Sequence, residues 1–101
     1  MVASGRAMLI AEFQEMIRAR YEPTDAARGT PGTFLWFVEE VGELAQALAE
    51  RERGDGDHAN LESEFADVLA WLTTLANING VDLTRAIETK YVEGGGPAGT
   101  K

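Results

Sequence analysis

The chain has 101 residues, no cysteine and a formal net charge of −8. Nine Lys and Arg against seventeen Asp and Glu exclude nucleic acid and anionic membrane as partners, because both are gripped through clustered positive charge. The lack of cysteine excludes disulfides, thiolate metal sites and redox motifs. A single domain this small buries only a modest core, so a homodimer or homotetramer is expected. Residues 1–20 are amphipathic and carry Glu12 and Glu15, unlike a secretory leader. No apolar run approaches the roughly 18 residues of a membrane span, and a cytoplasmic location is expected.

Leu9, Phe13, Met16 and Ile17 recur at helical spacing and predict a first helix over roughly residues 7–20 that stops before Pro23. Residues 22–33 are rich in turn formers and read as a connector in which Thr30 or Thr33 can cap the next helix. A second helix, roughly 33–52, places Phe34, Phe37, Val38, Val41, Leu44, Ala45 and Leu48 on one broad face, with Arg51 and Arg53 in its last turn and Gly54 breaking it. After the loop ending at His58, a third helix over roughly 59–79 carries Leu61, Phe65, Val68, Leu69, Leu72, Leu75 and Ala76 as its core stripe. Asn79-Gly80 ends it. Asp82 can cap a fourth helix through about Tyr91, with Leu83 and Ile87 inward. The tail 93–101 has nothing to bury and is expected to be disordered, leaving 1–92 as a single helical domain. No segment shows a strand period, so the fold class is all-α with about four helices.

Two acidic clusters stand inside these apolar stretches: Glu39-Glu40-Val41-Gly42-Glu43 and Glu64-Phe65-Ala66-Asp67. Residues three apart share a helix side, so Glu40/Glu43 and Glu64/Asp67 each present an oxygen pair to a common point. Two such pairs facing each other repel unless a divalent cation sits between them. Hard oxygen donors point to Mg²⁺, or Mn²⁺, with water and substrate phosphates completing the shell. Each pair has a tryptophan one turn along its own helix, Trp36 and Trp71, which sets these acids apart from an ordinary solvated face. Glu39 points elsewhere and reads as an outer or exposed residue. A di-iron carboxylate centre would require Glu-x-x-His pairs, and the single histidine, His58, belongs to neither motif. The Asp55-Gly-Asp57 loop departs from the EF-hand pattern at Asn60 and Ala66, which rules out that calcium site.

Glu-Glu-x-x-Glu followed about twenty residues later by Glu-x-x-Asp resembles the all-α nucleoside triphosphate pyrophosphohydrolases of the MazG type. The likeness extends over Phe13-Gln14, residues 34–45, residues 64–72, Leu75-Ala-Asn77, Gly80-Val-Asp82 and Lys90-Tyr91. It implies dimers, or dimers of dimers, with a four-helix bundle holding the site. It also implies Mg²⁺ on Glu40, Glu43, Glu64 and Asp67, Glu39 as the first acid of the motif, and Lys90 near the phosphates. Glu88 stands where many members have Asn, and a Gly-Gly-Gly-Pro tail replaces a Cys-Pro-rich one. The implied reaction is hydrolysis of the α,β phosphoanhydride of a nucleoside triphosphate to a monophosphate and pyrophosphate. Trp36 and Trp71 can stack on a base, the commoner use of such aromatics being packing. Phosphoribosyl-ATP pyrophosphohydrolase is the alternative within this superfamily, and a non-catalytic helical dimerisation module that keeps a structural cation is the alternative outside it.

Overall fold

The computed structural model describes residues 5–98. Residues 1–4 of the expected domain and 99–101 of the expected tail lie outside them. Every regular element among the described residues is helical: α1 (Ile10–Arg53), α2 (His58–Ile78), α3 (Leu83–Ile87) and a π-helical segment, Glu88–Glu93. None of these helices is long and apolar enough to cross a membrane.

The long α1 is two limbs joined at Gly29, whose φ of 76° and ψ of 176° lie where essentially only glycine is at ease. Thr30 comes next, and Pro31 then falls in the first turn of the second limb, where a missing N–H leaves no helical bond unmade. The expected stop before Pro23 does not occur. The first limb carries Pro23 within it, although an interior proline costs a helix about 3 kcal/mol. Burial and bonds around the bend offset that cost: Ile17 and Asp25 are buried, and Arg28 Nη2 donates to Asp25 Oδ1 at 2.6 Å while its Nε donates to Thr33 Oγ1 at 2.9 Å. The stretch 22–33, expected to be a connector, is therefore helix, broken at one residue.

The remaining boundaries match their caps. Gly54, at φ 85°, donates its N–H to Arg51 O and closes α1; Asp57 accepts from the Ala59 N–H at 3.0 Å and opens α2. His58 is consequently the first residue of α2 rather than a loop residue, exposed and 3.5 Å from Glu62. Asp82 accepts from the Arg85 N–H at 3.2 Å, capping α3 as its position suggested.

The second limb of α1 and α2 form the principal packing of the molecule. Along α1 the residues that lose solvent are Thr33, Phe37, Glu40, Leu44 and Ala47; along α2 they include Leu61, Glu64, Val68, Trp71 and Leu75. Both sets keep the three-and-four spacing of a helix seam, and both contain an acid. The broad apolar faces expected to be core lie only partly in this seam: Phe37 and Leu44 on α1 and Leu61, Val68, Leu75 and Ala76 on α2 lose solvent, whereas Phe34, Val38, Val41 and Leu48 on α1, and Phe65, Leu69 and Leu72 on α2, remain exposed. The physical reason is that each helix is apolar on two faces, and packing against one neighbour covers only one of them.

Gln14 ties the first limb to the far end of α2. Its Nε2 donates to Asn77 Oδ1 at 3.0 Å and to Val81 O at 2.7 Å, its Oε1 accepts from the Leu83 N–H at 2.9 Å, and Asn77 Nδ2 donates to Gln14 O at 3.3 Å. A buried amide with every group paired fixes the crossing of three elements.

Candidate metal centre

Glu40 and Glu43 on α1 and Glu64 on α2 each bring one carboxylate oxygen within 4.8 Å of the others. Glu40 and Glu64 are half-buried in the seam, and Glu43, one turn on, reaches in from the exposed edge. Glu40 Oε2 and Glu64 Oε1 are buried and have no hydrogen-bond partner, a costly state for carboxylate oxygens in a helical seam. Burial, first, and then the charges of Glu43, Asp67, Glu64 and Glu39 hold the Glu40 carboxyl above the usual carboxylate range. Burial, then Glu43 and Asp67, does the same to Glu64. Asp67 is thus close enough to repel both, though its oxygens stand outside the three-oxygen group.

These residues fit a hard divalent cation. Oxygens sharing one octahedral Mg²⁺ lie at most about 4.2 Å apart, so a slight inward movement of side chains brings the trio onto one ion. The two orphaned oxygens would then gain the partner they lack, and the like-charge repulsion that raises both carboxyls would be relieved.

The tryptophans of the two acid motifs meet each other. Trp36 and Trp71 stack with ring centroids 6.2 Å apart and planes 16° from parallel, and the Arg28 guanidinium carbon lies 4.8 Å from the Trp71 ring centroid. Trp36 remains about half exposed. Glu39 is exposed beside the cluster, and Lys90 is exposed on the π-helical segment, which continues α3 without a break.

The acid motifs gave no hint of a second polar group, formed by Asp25, Arg28 and Thr33. Asp25 and Thr33 are among the most buried residues in the structure. The sequence signal for it is Asp25 and Arg28 at helical i,i+3 spacing, inside a stretch whose proline and glycines speak against a helix.

Residues 30–92 match the MazG nucleotide pyrophosphohydrolase domain, a match that begins just past the Gly29 break. The chain is also 37% identical over 81 residues to a dATP/dGTP diphosphohydrolase of Cyanophage S-2L, across 80% of this chain and 69% of that protein. The chain therefore belongs to the MazG nucleotide pyrophosphohydrolase family. It is an enzyme, one that hydrolyses nucleoside or deoxynucleoside triphosphate to the monophosphate and pyrophosphate. The family suggests divalent-metal dependence, and an acidic cluster is present in this fold.

Proposed function

We propose that the protein cleaves the α,β phosphoanhydride of a purine deoxynucleoside triphosphate with Mg²⁺ as its ion, Mn²⁺ being able to replace it, and that Glu40, Glu43, Glu64 and Asp67 hold that ion. The carrying observation is the convergence of three carboxylate oxygens, two of them from residues with a buried, unpartnered oxygen. A divalent cation in this position neutralises triphosphate charge and lowers the pKa of a bound water. The chain's own part is to fix the four acids on two packed helices, facing the place of the cation. Glu39, exposed at the edge, orients a ligand or the incoming water. Lys90 supplies positive charge to the phosphates, and Trp36 and Trp71 bound the base end as one stacked unit. The purine and deoxyribose preference rests on the name of the cyanophage relative.

The exposed apolar residues of α1 and α2, Phe34, Val38 and Val41 with Phe65, Leu69 and Leu72, support a homodimer or homotetramer in which they complete a four-helix bundle. We take residues 1–92 as the folded domain and 93–101 as a tail without a catalytic part. A cytoplasmic enzyme acting on free nucleotides, with neither nucleic acid nor membrane as partner, accords with the net charge of −8. The test is a panel of ribo- and deoxyribonucleoside triphosphates plus phosphoribosyl-ATP, with Mg²⁺, scored for pyrophosphate against phosphate. Purine deoxynucleotides should lead; fastest release of pyrophosphate from phosphoribosyl-ATP would replace this reading.

A further inference from the structure

Beside the acidic cluster lies a cavity of about 370 Å³, lined by Ile17, Tyr21, Asp25, Arg28, Asp67 and Trp71 among others. Its size falls in the small-molecule range, and its wall is apolar and aromatic with a few polar groups, the usual makeup of a ligand pocket. Asp67 stands on that wall, so a nucleotide whose phosphates meet the acid cluster has this space within reach of its base. A second cavity also borders Asp25, but its lining of Arg18, Glu22, Ala26, Asn77 and Ile78 includes none of the four cluster acids.

Asp25 is the unexplained group here. The residue is 94% buried, being 6% exposed, and only one of its oxygens is used. Oδ1 accepts from Arg28 Nη2 at 2.6 Å; Oδ2 is buried with no partner. Arg28 makes no bond to that oxygen: its Nη2 donates to Oδ1, its Nε donates to Thr33 Oγ1 at 2.9 Å, and its guanidinium carbon lies 4.8 Å from the Trp71 ring centroid. The Asp25–Arg28 pair would anchor the bend at Gly29 with one oxygen alone. The second calls for a donor, and a carboxylate can only accept.

We propose that this cavity takes the nucleobase and that Asp25 selects bases bearing an exocyclic amine, Oδ2 accepting a hydrogen bond from that amine while Oδ1 stays on Arg28. Asp25 lines the cavity, and Oδ2 is the oxygen that its bond to Arg28 leaves unpaired. An oxo group at the same place would set a carbonyl oxygen against a carboxylate and leave both unpaired. The inference rests on the purine deoxynucleotide reading above and names the group that would discriminate within it.

The deciding comparison is dATP against dITP, which differ by an amino or an oxo group at one ring position, and dCTP against dUTP as the pyrimidine pair. On the full chain with Mg²⁺, kcat/KM should favour the amino member of each pair by at least about tenfold. In Asp25→Asn, Arg28 keeps the amide oxygen, so an NH₂ donor takes the place of Oδ2; the amino-to-oxo ratio should fall by at least about tenfold and can invert. Wild type hydrolysing dATP and dITP equally well overturns the proposal without any variant. So does an Asp25→Asn protein that folds, with wild-type helicity, and loses activity on both members of a pair in equal proportion. If dCTP outruns dATP while dUTP lags dCTP, the purine reading fails and the role of Asp25 stands; if no triphosphate is hydrolysed, both fall.

Discussion

Glu40 and Glu64, one on each helix of the central seam, bring carboxylate oxygens within 4.8 Å of each other, and each also holds a buried oxygen without a partner. Two acids placed at heptad-like seam positions cost the metal-free fold stability, since burial and mutual repulsion both oppose their charge. A cation bound between them would offset that cost.

Removing the cation should abolish pyrophosphate release, and adding it should stabilise the protein. Stripping with EDTA and then thermal melting in graded Mg²⁺ checks both. The melting temperature is expected to rise with ion concentration as binding to the folded form predicts, and activity is expected to return over the same range. Activity that survives exhaustive chelation contradicts the assignment of Glu40, Glu43, Glu64 and Asp67.

Glu40→Gln, Glu43→Gln, Glu64→Gln and Asp67→Asn should each lower turnover by roughly a hundredfold while leaving helicity intact, the loss expected when a metal ligand's charge is removed. Glu39→Gln should be milder, as Glu39 is exposed outside the three-oxygen group. Circular dichroism and kcat/KM, measured together, separate lost ligation from lost fold.

The metal-free protein should show the opposite order of stability. Because the folded-state pKa values of Glu40 and Glu64 are raised, the folded form binds more protons than the unfolded form between the ordinary carboxylate range and the raised one. Their contribution is present below that window and is lost as pH rises through it. In EDTA at neutral pH, Glu40→Gln should therefore melt above wild type, with the gap closing as pH falls toward the ordinary carboxylate range. A metal-free Glu40→Gln that melts well below wild type at neutral pH points to a structural role for the charge.

The acid spacing made the centre legible: Glu40, Glu43 and Glu64 converge because three-residue steps on two packed helices leave little alternative. The caps at Gly54 and Asp82 were legible for the same local reason. The bend was not. Pro23 carries a strong local signal to end a helix, and the burial of Ile17 and Asp25, with bonds from Arg28 to Asp25 and across the bend to Thr33, accompanies its override, through residues unremarkable in sequence. The core was legible only in part, for a different cause. Phe34, Val38 and Val41 form the more apolar stripe of α1, yet the seam chose the stripe of Thr33, Phe37, Glu40 and Ala47, and hydrophobicity alone does not tell which of two apolar faces meets its own chain.

That leftover face predicts the mass in solution. Light scattering at micromolar protein should give a dimer or tetramer of the 10.9 kDa chain. Val38→Glu with Leu69→Glu, both at exposed positions, should shift the population toward monomer by placing charges in an apolar interface. A wild-type mass near that of one chain, with full helicity, rules the bundle out.

Lys90→Ala should raise KM or lower kcat severalfold if its ammonium serves the phosphates, whereas deleting residues 94–101 should change neither. The lysine carbonyl accepts from the Gly96 N–H at 2.7 Å and Thr89 O from the Gly94 N–H at 3.1 Å, backbone bonds that end a helix without touching α1 or α2. A tail of three consecutive glycines and a proline has high chain entropy and little apolar surface with which to close over a site. A tenfold loss on deletion with a silent Lys90→Ala would move the phosphate contact from Lys90 to the tail.

Gly29→Ala tests the bend that starts the matched domain. At φ 76° and ψ 176° a Cβ has space, its nearest neighbour being the Pro31 Cδ at 3.9 Å, so crowding is not the difficulty. The difficulty is the backbone: an L-residue at this φ and ψ is strained by roughly 1–3 kcal/mol. In a domain of about 100 residues that strain should lower the melting temperature by several degrees or more. The alternative for the variant is to straighten α1 through residue 29, which would pull Arg28 from Asp25 and Thr33 and draw the first limb off α2. Thermal melting together with fluorescence of the stacked Trp36–Trp71 pair distinguishes the two outcomes: a lower melting point with unchanged emission means strain in the native bend, and altered emission means the bend has opened. A variant as stable as wild type, with the same emission, would show that this φ is not imposed on residue 29 by the fold.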